Sequence, residues 1–176
     1  VSELWDPLWP RLEVLLACLE DRLNRYGAPV CRAFIHPGAT APWDACGTKS
    51  DGAEGQAWVA VSRIAPQPTQ GAGQRILPVE FAADVVVGVL RCAAVVDDHG
   101  NPPSVDAVMD DAQKQTRDAA IVREVYECCY VQATDAVRGE FRLGDWEPLG
   151  PLGGCVGGQW RATILVPACP CPPGSL

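Results

Sequence analysis

The stretch Asp84–Val96, DVVVGVLRCAAVV, is the one on which the fold turns. It is almost wholly apolar and dense in valine. Valine's branched Cβ is stiff in a helix and packs well on a pleated sheet, so the run predicts a strand. At ~3.3 Å per residue that strand would be roughly 43 Å long. As a helix it would be too short to cross a bilayer, which takes about 20 apolar residues. Arg91 interrupts one face. The sequence therefore predicts a strand covered on one side and half open on the other.

Working outward, the N-terminal flank opens with a helix. Asp6-Pro7 pairs a capping acid with a proline suited to a first turn. Leu8, Leu12, Leu15, Leu19, Leu23 and Tyr26 follow at steps of three and four, which makes one apolar stripe. Leu15–Cys18 mimics a lipoprotein cleavage box, but no basic region precedes it. Glu13, Glu20 and Asp21 break the apolar run, so the amphipathic helix is the reading taken. Gly27 and Pro29 end the helix. Val30–Ile35 and Gln56–Ile64 read as strands, separated by a long polar loop. A second long loop, 65–78, leads to the central strand, roughly Phe81–Val96. Loops beyond about 12–15 residues are usually functional or disordered.

On the C-terminal flank, Asp97–Pro103 reads as a turn. Ser104 caps a second long helix whose first turns carry Asp106, Asp110 and Asp111, which suits the positive helix end. Val108, Ala112, Ala119, Val122 and Tyr126 are its expected inner face. Arg138–Leu143 reads as a strand, Gly144–Gly158 as a glycine- and proline-rich connection, and Gln159–Val166 as the last strand. The expected architecture is α+β: a mostly antiparallel five-stranded sheet, two long helices packed on one face, and long loops. Residues 1–166 form one domain in this reading, and 167–176 a tail rich in Pro and Cys.

Composition limits the chemistry. The chain has 176 residues, 48% hydrophobic, with net charge −8. That is enough chain for one real core. The acidic balance disfavours nucleic-acid binding, which rests on neutralising phosphates. Nine cysteines cannot all pair internally. Cys18, Cys92 and Cys128 sit on apolar faces and read as small core residues. A disulfide among Cys46, Cys155, Cys169 and Cys171 would need an oxidising medium. The same cysteines with His36 invite a zinc reading, but Cys169 and Cys171 have one residue between them where zinc knuckles use two to four. Gly150–Gly158 lacks the Gly-Lys-Ser/Thr ending of a phosphate loop. Asp97-Asp98-His99 is a polar turn before an acid-rich helix start. Two histidines and five serines give no nucleophile pair a recognisable setting. Neither enzyme chemistry nor a cofactor is expected.

Six tryptophans stand beside only three Phe and three Tyr. Trp58 and Trp160 fall in strands and read as core. Trp43 and Trp146 fall in loops, as packing lids or as interface anchors.

Four segments carry a family likeness: LWDPLWPRLEVLLACLEDRL, CRAFIHPGATAPWDAC, VGVLRCAAVVDDHGNPPS and EPLGPLGGCVGGQWRATILVPACPCPP. Together they resemble the tail terminator proteins of the neck of long-tailed actinobacteriophages, over nearly the whole chain. The resemblance implies a virion structural protein, assembled in the host cytoplasm, with no membrane partner. It implies a homohexameric ring that caps the tail tube. The ring's implied partners are the tail tube protein, a head-completion or stopper protein, and the tape measure protein. DNA passes through its lumen without specific binding. A head-closure ring or a tail-completion protein is the alternative within the same class, and a small metal-binding domain the alternative outside it. The interface residues expected on this basis are Trp43, Arg75, Trp146 and the ribbon glycines Gly153, Gly154 and Gly157. Asp97 and Asp98 are the expected lumen residues.

Overall fold

The computed structural model describes residues 6–38, 40–43, 52–67, 80–133 and 141–167. The first helix, α1, spans Trp9–Arg25. Asp6 does act at its start: its Oδ1 accepts from the backbone N–H of Leu8 at 2.9 Å and of Trp9 at 3.1 Å. Pro10 stands in the first turn, where no N–H is needed. Leu12, Leu15, Leu19 and Leu23 bury as the spacing predicts. Gly27 follows with φ +64°, a conformation that glycine adopts without strain.

Five strands form one sheet: β1 (Arg32–His36), β2 (Gln56–Pro66), β3 (Glu80–Cys92), β4 (Phe141–Leu152) and β5 (Cys155–Pro167), in the order β1-β2-β3-β5-β4. The sheet is mixed, which corrects the expectation of a mostly antiparallel one. β1 runs parallel to β2, with Arg32 opposite Gln56 and His36 opposite Ala60. β2–β3, β3–β5 and β4–β5 are antiparallel. The stretch between β1 and β2 is long enough to carry the chain back to the end at which β1 began, so the two strands need not run as a hairpin.

β3 ends at Cys92, not at Val96. Ala93–Val96 continues without a strand partner among the described residues, and Val95 and Val96 are exposed. The two faces of β3 are both covered at its centre. Val85, Val87 and Val89 join the main core with the leucines of α1 and with Ile121, Val122 and Tyr126. Val86 and Leu90, on the opposite face, are equally buried. Leu90 belongs there to a smaller cluster with Trp58, Ala60 and Cys155. Gly88 permits this packing, since a Cβ at that position would run into the Trp58 ring.

The second helix, α2, spans Val105–Glu124 and is capped as expected, with Ser104 Oγ accepting from the Ala107 N–H at 3.2 Å. Its inner face differs from the sequence reading. Val108 and Ala112 are exposed, and the buried positions are Asp118, Ile121 and Val122. Only the C-terminal half of the helix meets the core. The helix runs on through a π-helical segment, Val125–Tyr130, and a last turn, Val131–Ala133. That segment brings Cys129 to Cys18 of α1, and the two form a disulfide with Cα atoms 5.7 Å apart. Cys18 is therefore half of a cross-link between helices and not a free core thiol, whereas Cys92 and Cys128 are half-buried.

Arg91 overturns the picture of a half-open strand. It is buried, 2% exposed. Its guanidinium forms a two-pronged ion pair with Asp118 of α2, Nε to Oδ2 at 2.7 Å and Nη2 to Oδ1 at 3.0 Å. The remaining N–H groups donate to the carbonyls of Ala28 (2.8 Å), Pro29 (3.0 Å) and Glu54 (3.1 Å). All five donors of an arginine are thus engaged. One side chain joins the end of α1, the approach to β2, β3 and α2.

Candidate functional site

The sequence reads Gly144–Gly158 as a connection. In the structure it is most of a β-hairpin, β4 turning into β5 at Gly153-Gly154. Both glycines have positive φ, +58° and +74°, as a two-residue hairpin turn of the type that follows strand twist requires. Gly157 is buried in β5, where a Cβ would sit 2.9 Å from Leu90 Cα and closer still to the Val89 carbonyl. These three glycines therefore have work to do inside the chain: two make the turn, and one lets β5 approach β3.

Trp146 lies in β4 opposite Trp160, half-buried, with ring centroids 6.1 Å apart. Its ring covers Gly158, and it packs against the main core. Trp160 in turn donates its indole N–H to the Ala119 carbonyl of α2 at 2.8 Å. Trp146 thus lies in a strand of the hairpin and not in a loop, and it packs there. Trp43 does stand in a loop, packed on the Trp58 cluster. Its loop is tied down by Gln56, whose amide donates to the Pro42 carbonyl. Arg75 lies outside the described residues, as do Cys46, Cys169 and Cys171.

The hairpin tip belongs to one end of the molecule. Gly154 O accepts from the Ala93 N–H at 2.8 Å, and the Val95 side chain lies 3.8 Å from where a Cβ on Gly154 would be. Next along, the Ala94 N–H donates to Asp111 of α2 at 2.7 Å. Three segments therefore meet: the hairpin tip, the chain leaving β3, and the first turns of α2. Each of these segments carries exposed large apolar side chains: Leu152, Val95 and Val96, and Val105, Val108 and Met109. Val105 is 78% exposed and Met109 65%. Sequence periodicity missed this surface because it assigned Val95 and Val96 to a strand and Val108 to a core face.

Asp97 and Asp98 follow at the same end. Asp97 is committed to its own turn, its carboxylate accepting from the backbone N–H groups of His99 (2.9 Å) and Asn101 (2.8 Å) and from the Asn101 side chain (2.9 Å). The Asn101 hydrogen bonds hold its pKa below the ordinary aspartate value. Asp98 is exposed. Among the described residues no group of three or more His, Cys, Asp or Glu is placed to hold a metal ion, and no helix is long and apolar enough to cross a membrane.

The described chain is an α+β domain with a mixed five-stranded sheet and two long helices. No protein-family model matches the sequence, and no curated protein matches it.

Proposed function

We propose that this chain is a phage virion structural protein, a tail terminator that forms a homohexameric ring on the tail tube and joins it to the head. The observation that carries the reading is the exposed apolar end built by Leu152, Val95, Val96, Val105, Val108 and Met109. Scattered apolar residues on a surface need no explanation, but a group on three converging segments marks a contact with protein. A ring contact is heterologous, one patch meeting a different one on the next copy, and it closes by rotation. The apolar end supplies one such patch. The resemblance of four long segments to tail terminators supplies the identity of the assembly. Asp97 and Asp98 stand beside the patch, and an acidic lining would let DNA slide without sticking. The tail tube protein, the head-completion or stopper protein and the tape measure protein are the partners in this reading, and the virion neck is the location.

Native mass spectrometry under non-reducing conditions, followed by incubation with purified tail tubes, tests it. A species of six chains, or a monomer that caps tubes and stops their growth, is the expected result. A chain that neither assembles nor caps tubes would remove the reading. A chain that binds the head portal assembly in place of tubes would move it to the head-closure class.

A further inference from the structure

The sheet has a second face, turned away from the core helices. Val85, Val87 and Val89 belong to the core that the helices share, so Asp84 and Val86 point to the other side. Four residues stand in one row across that outer face. Arg63 of β2 is opposite Asp84 of β3, Asp84 is opposite Thr163 of β5, and Thr163 is opposite Arg142 of β4. Residues in register share a face. Arg161 lies on the same face, opposite Val86. All three arginines are exposed.

The acids of this face are engaged within the chain. The Asp84 carboxylate accepts from the Thr163 hydroxyl at 2.8 Å. Glu147 accepts from the Gln159 amide at 2.8 Å and lies 3.9 Å from the Arg161 guanidinium. Arg63 and Arg142 form no ion pair among the described residues. Two unpaired arginines on one sheet face run against the net charge of −8.

The exposed side of α2 is their complement. A space of about 540 Å³ runs along it, lined by Asp106, Met109, Asp110 and Gln113 among others. Asp106 and Met109 are exposed, and so is the Asp110 side chain. Lys114 lies 3.0 Å from Asp110 but also 3.3 Å from Glu54. One ammonium is thus divided between two carboxylates, and Asp106 has no cation among the described residues.

We propose that the arginine face of the sheet docks on this side of α2 in a second copy of the chain. Arg63 and Arg142 would meet Asp106 and Asp110, a pairing that guanidinium and carboxylate suit. Met109 would pack on Leu165, which is half-buried on the outer face opposite Ala82. The two patches lie on different sides of the chain, so each copy can use both at once, as a heterologous contact requires. The pairing rests on the ring reading above and supplies the second patch which that reading needs.

Two charge-reversed variants of the full chain test it. One carries Arg63→Glu with Arg142→Glu, and the other Asp106→Lys with Asp110→Lys. Each alone sets like charges together and should need about tenfold or more protein to assemble or to cap tubes. Mixed in equal amounts they should assemble again. The glutamate face of one variant then meets the lysines of the other, and the unchanged arginine face meets the unchanged aspartates. Native mass spectrometry should find the two variants in equal number, and recovery on mixing shows that both are folded. A variant that assembles alone like the parent, or a mixture that stays unassembled while the parent assembles, overturns the pairing and leaves the ring reading standing. If the arginine variant assembles normally but loses retention of a short DNA duplex, the face belongs to a polyanion and the pairing is overturned. A parent that neither assembles nor caps tubes removes both readings.

Discussion

Arg91 and Asp118 show what a single buried pair does for this chain. Both are almost wholly buried, at 2% and 0% exposure. An ion pair taken out of water gains little net stability against an apolar pair of the same shape, but removing one partner leaves a charge with no compensation. Asp118→Ala should therefore destabilise the fold by about 3–5 kcal/mol. Arg91→Met combined with Asp118→Leu should cost much less, and urea unfolding of the two variants decides between them. The pair was half legible. Arg91 stands out as the one charge in a valine run, and Asp118 is the one acid on the buried face of α2. Each alone reads as an opening to solvent. Only the fold sets them opposite one another, because contact between residues 27 positions apart leaves no periodic trace.

At the scale of elements, the helices were readable and the hairpin was not. The α1 stripe from Leu12 to Leu23 and the Ser104 cap rest on local spacing, and both hold, whereas Tyr26 is exposed and so are Val108 and Ala112 of the expected inner face of α2. β4 carries Gly144, Pro148, Gly150 and Pro151, residues that argue against a strand. It forms one because β5 pairs with it over most of its length, with breaks between Leu143 and Trp146 and between Leu149 and Leu152, and because the prolines fall on an edge. This changes the meaning of Trp146. Read as a loop anchor, its removal should leave the monomer intact. Packed on Gly158 and beside Trp160, Trp146→Ala should instead lower stability by about 2–3 kcal/mol, less than the 3–5 of a fully buried aromatic because the ring is partly exposed. A thermal melt of the monomer that matched the parent would contradict that. The disulfide acts on the same scale. Cys18 and Cys129 are 111 positions apart, and cross-linking so long a loop restricts the unfolded chain strongly. Cys18→Ser should cost about 2–4 kcal/mol under oxidising conditions and nothing further once the parent is reduced. Comparing denaturant midpoints with and without reductant measures both halves of that statement. No spacing rule points to this pairing, since the π-helical segment that turns Cys129 towards α1 has no signature in the residues that form it.

For the whole molecule, the question is why one end is left apolar. A run of apolar residues such as Ala93–Val96 normally reports a strand with neighbours. Here β5 begins at Cys155 opposite Cys92, so the sheet ends and the run continues past it with no strand beside it among the described residues. α2 likewise reaches beyond the core, exposing Val105, Val108 and Met109 on its first turns. Neither feature improves the stability of a lone chain, and both raise its tendency to associate. They are explained if a neighbouring subunit covers them. Met109→Glu with Leu152→Glu is a clean test, because both side chains are more than half exposed and neither joins a core cluster. Surface changes of this kind usually alter folding stability by no more than ~0.5 kcal/mol. A buried, unpaired carboxylate, by contrast, is heavily penalised at a protein contact. The double variant should melt with the parent and yet fail to assemble or to cap tubes, as native mass and tube-length measurements would show. If it assembled as well as the parent, the apolar end would not be the contact, and the ring reading would lose the observation on which it rests.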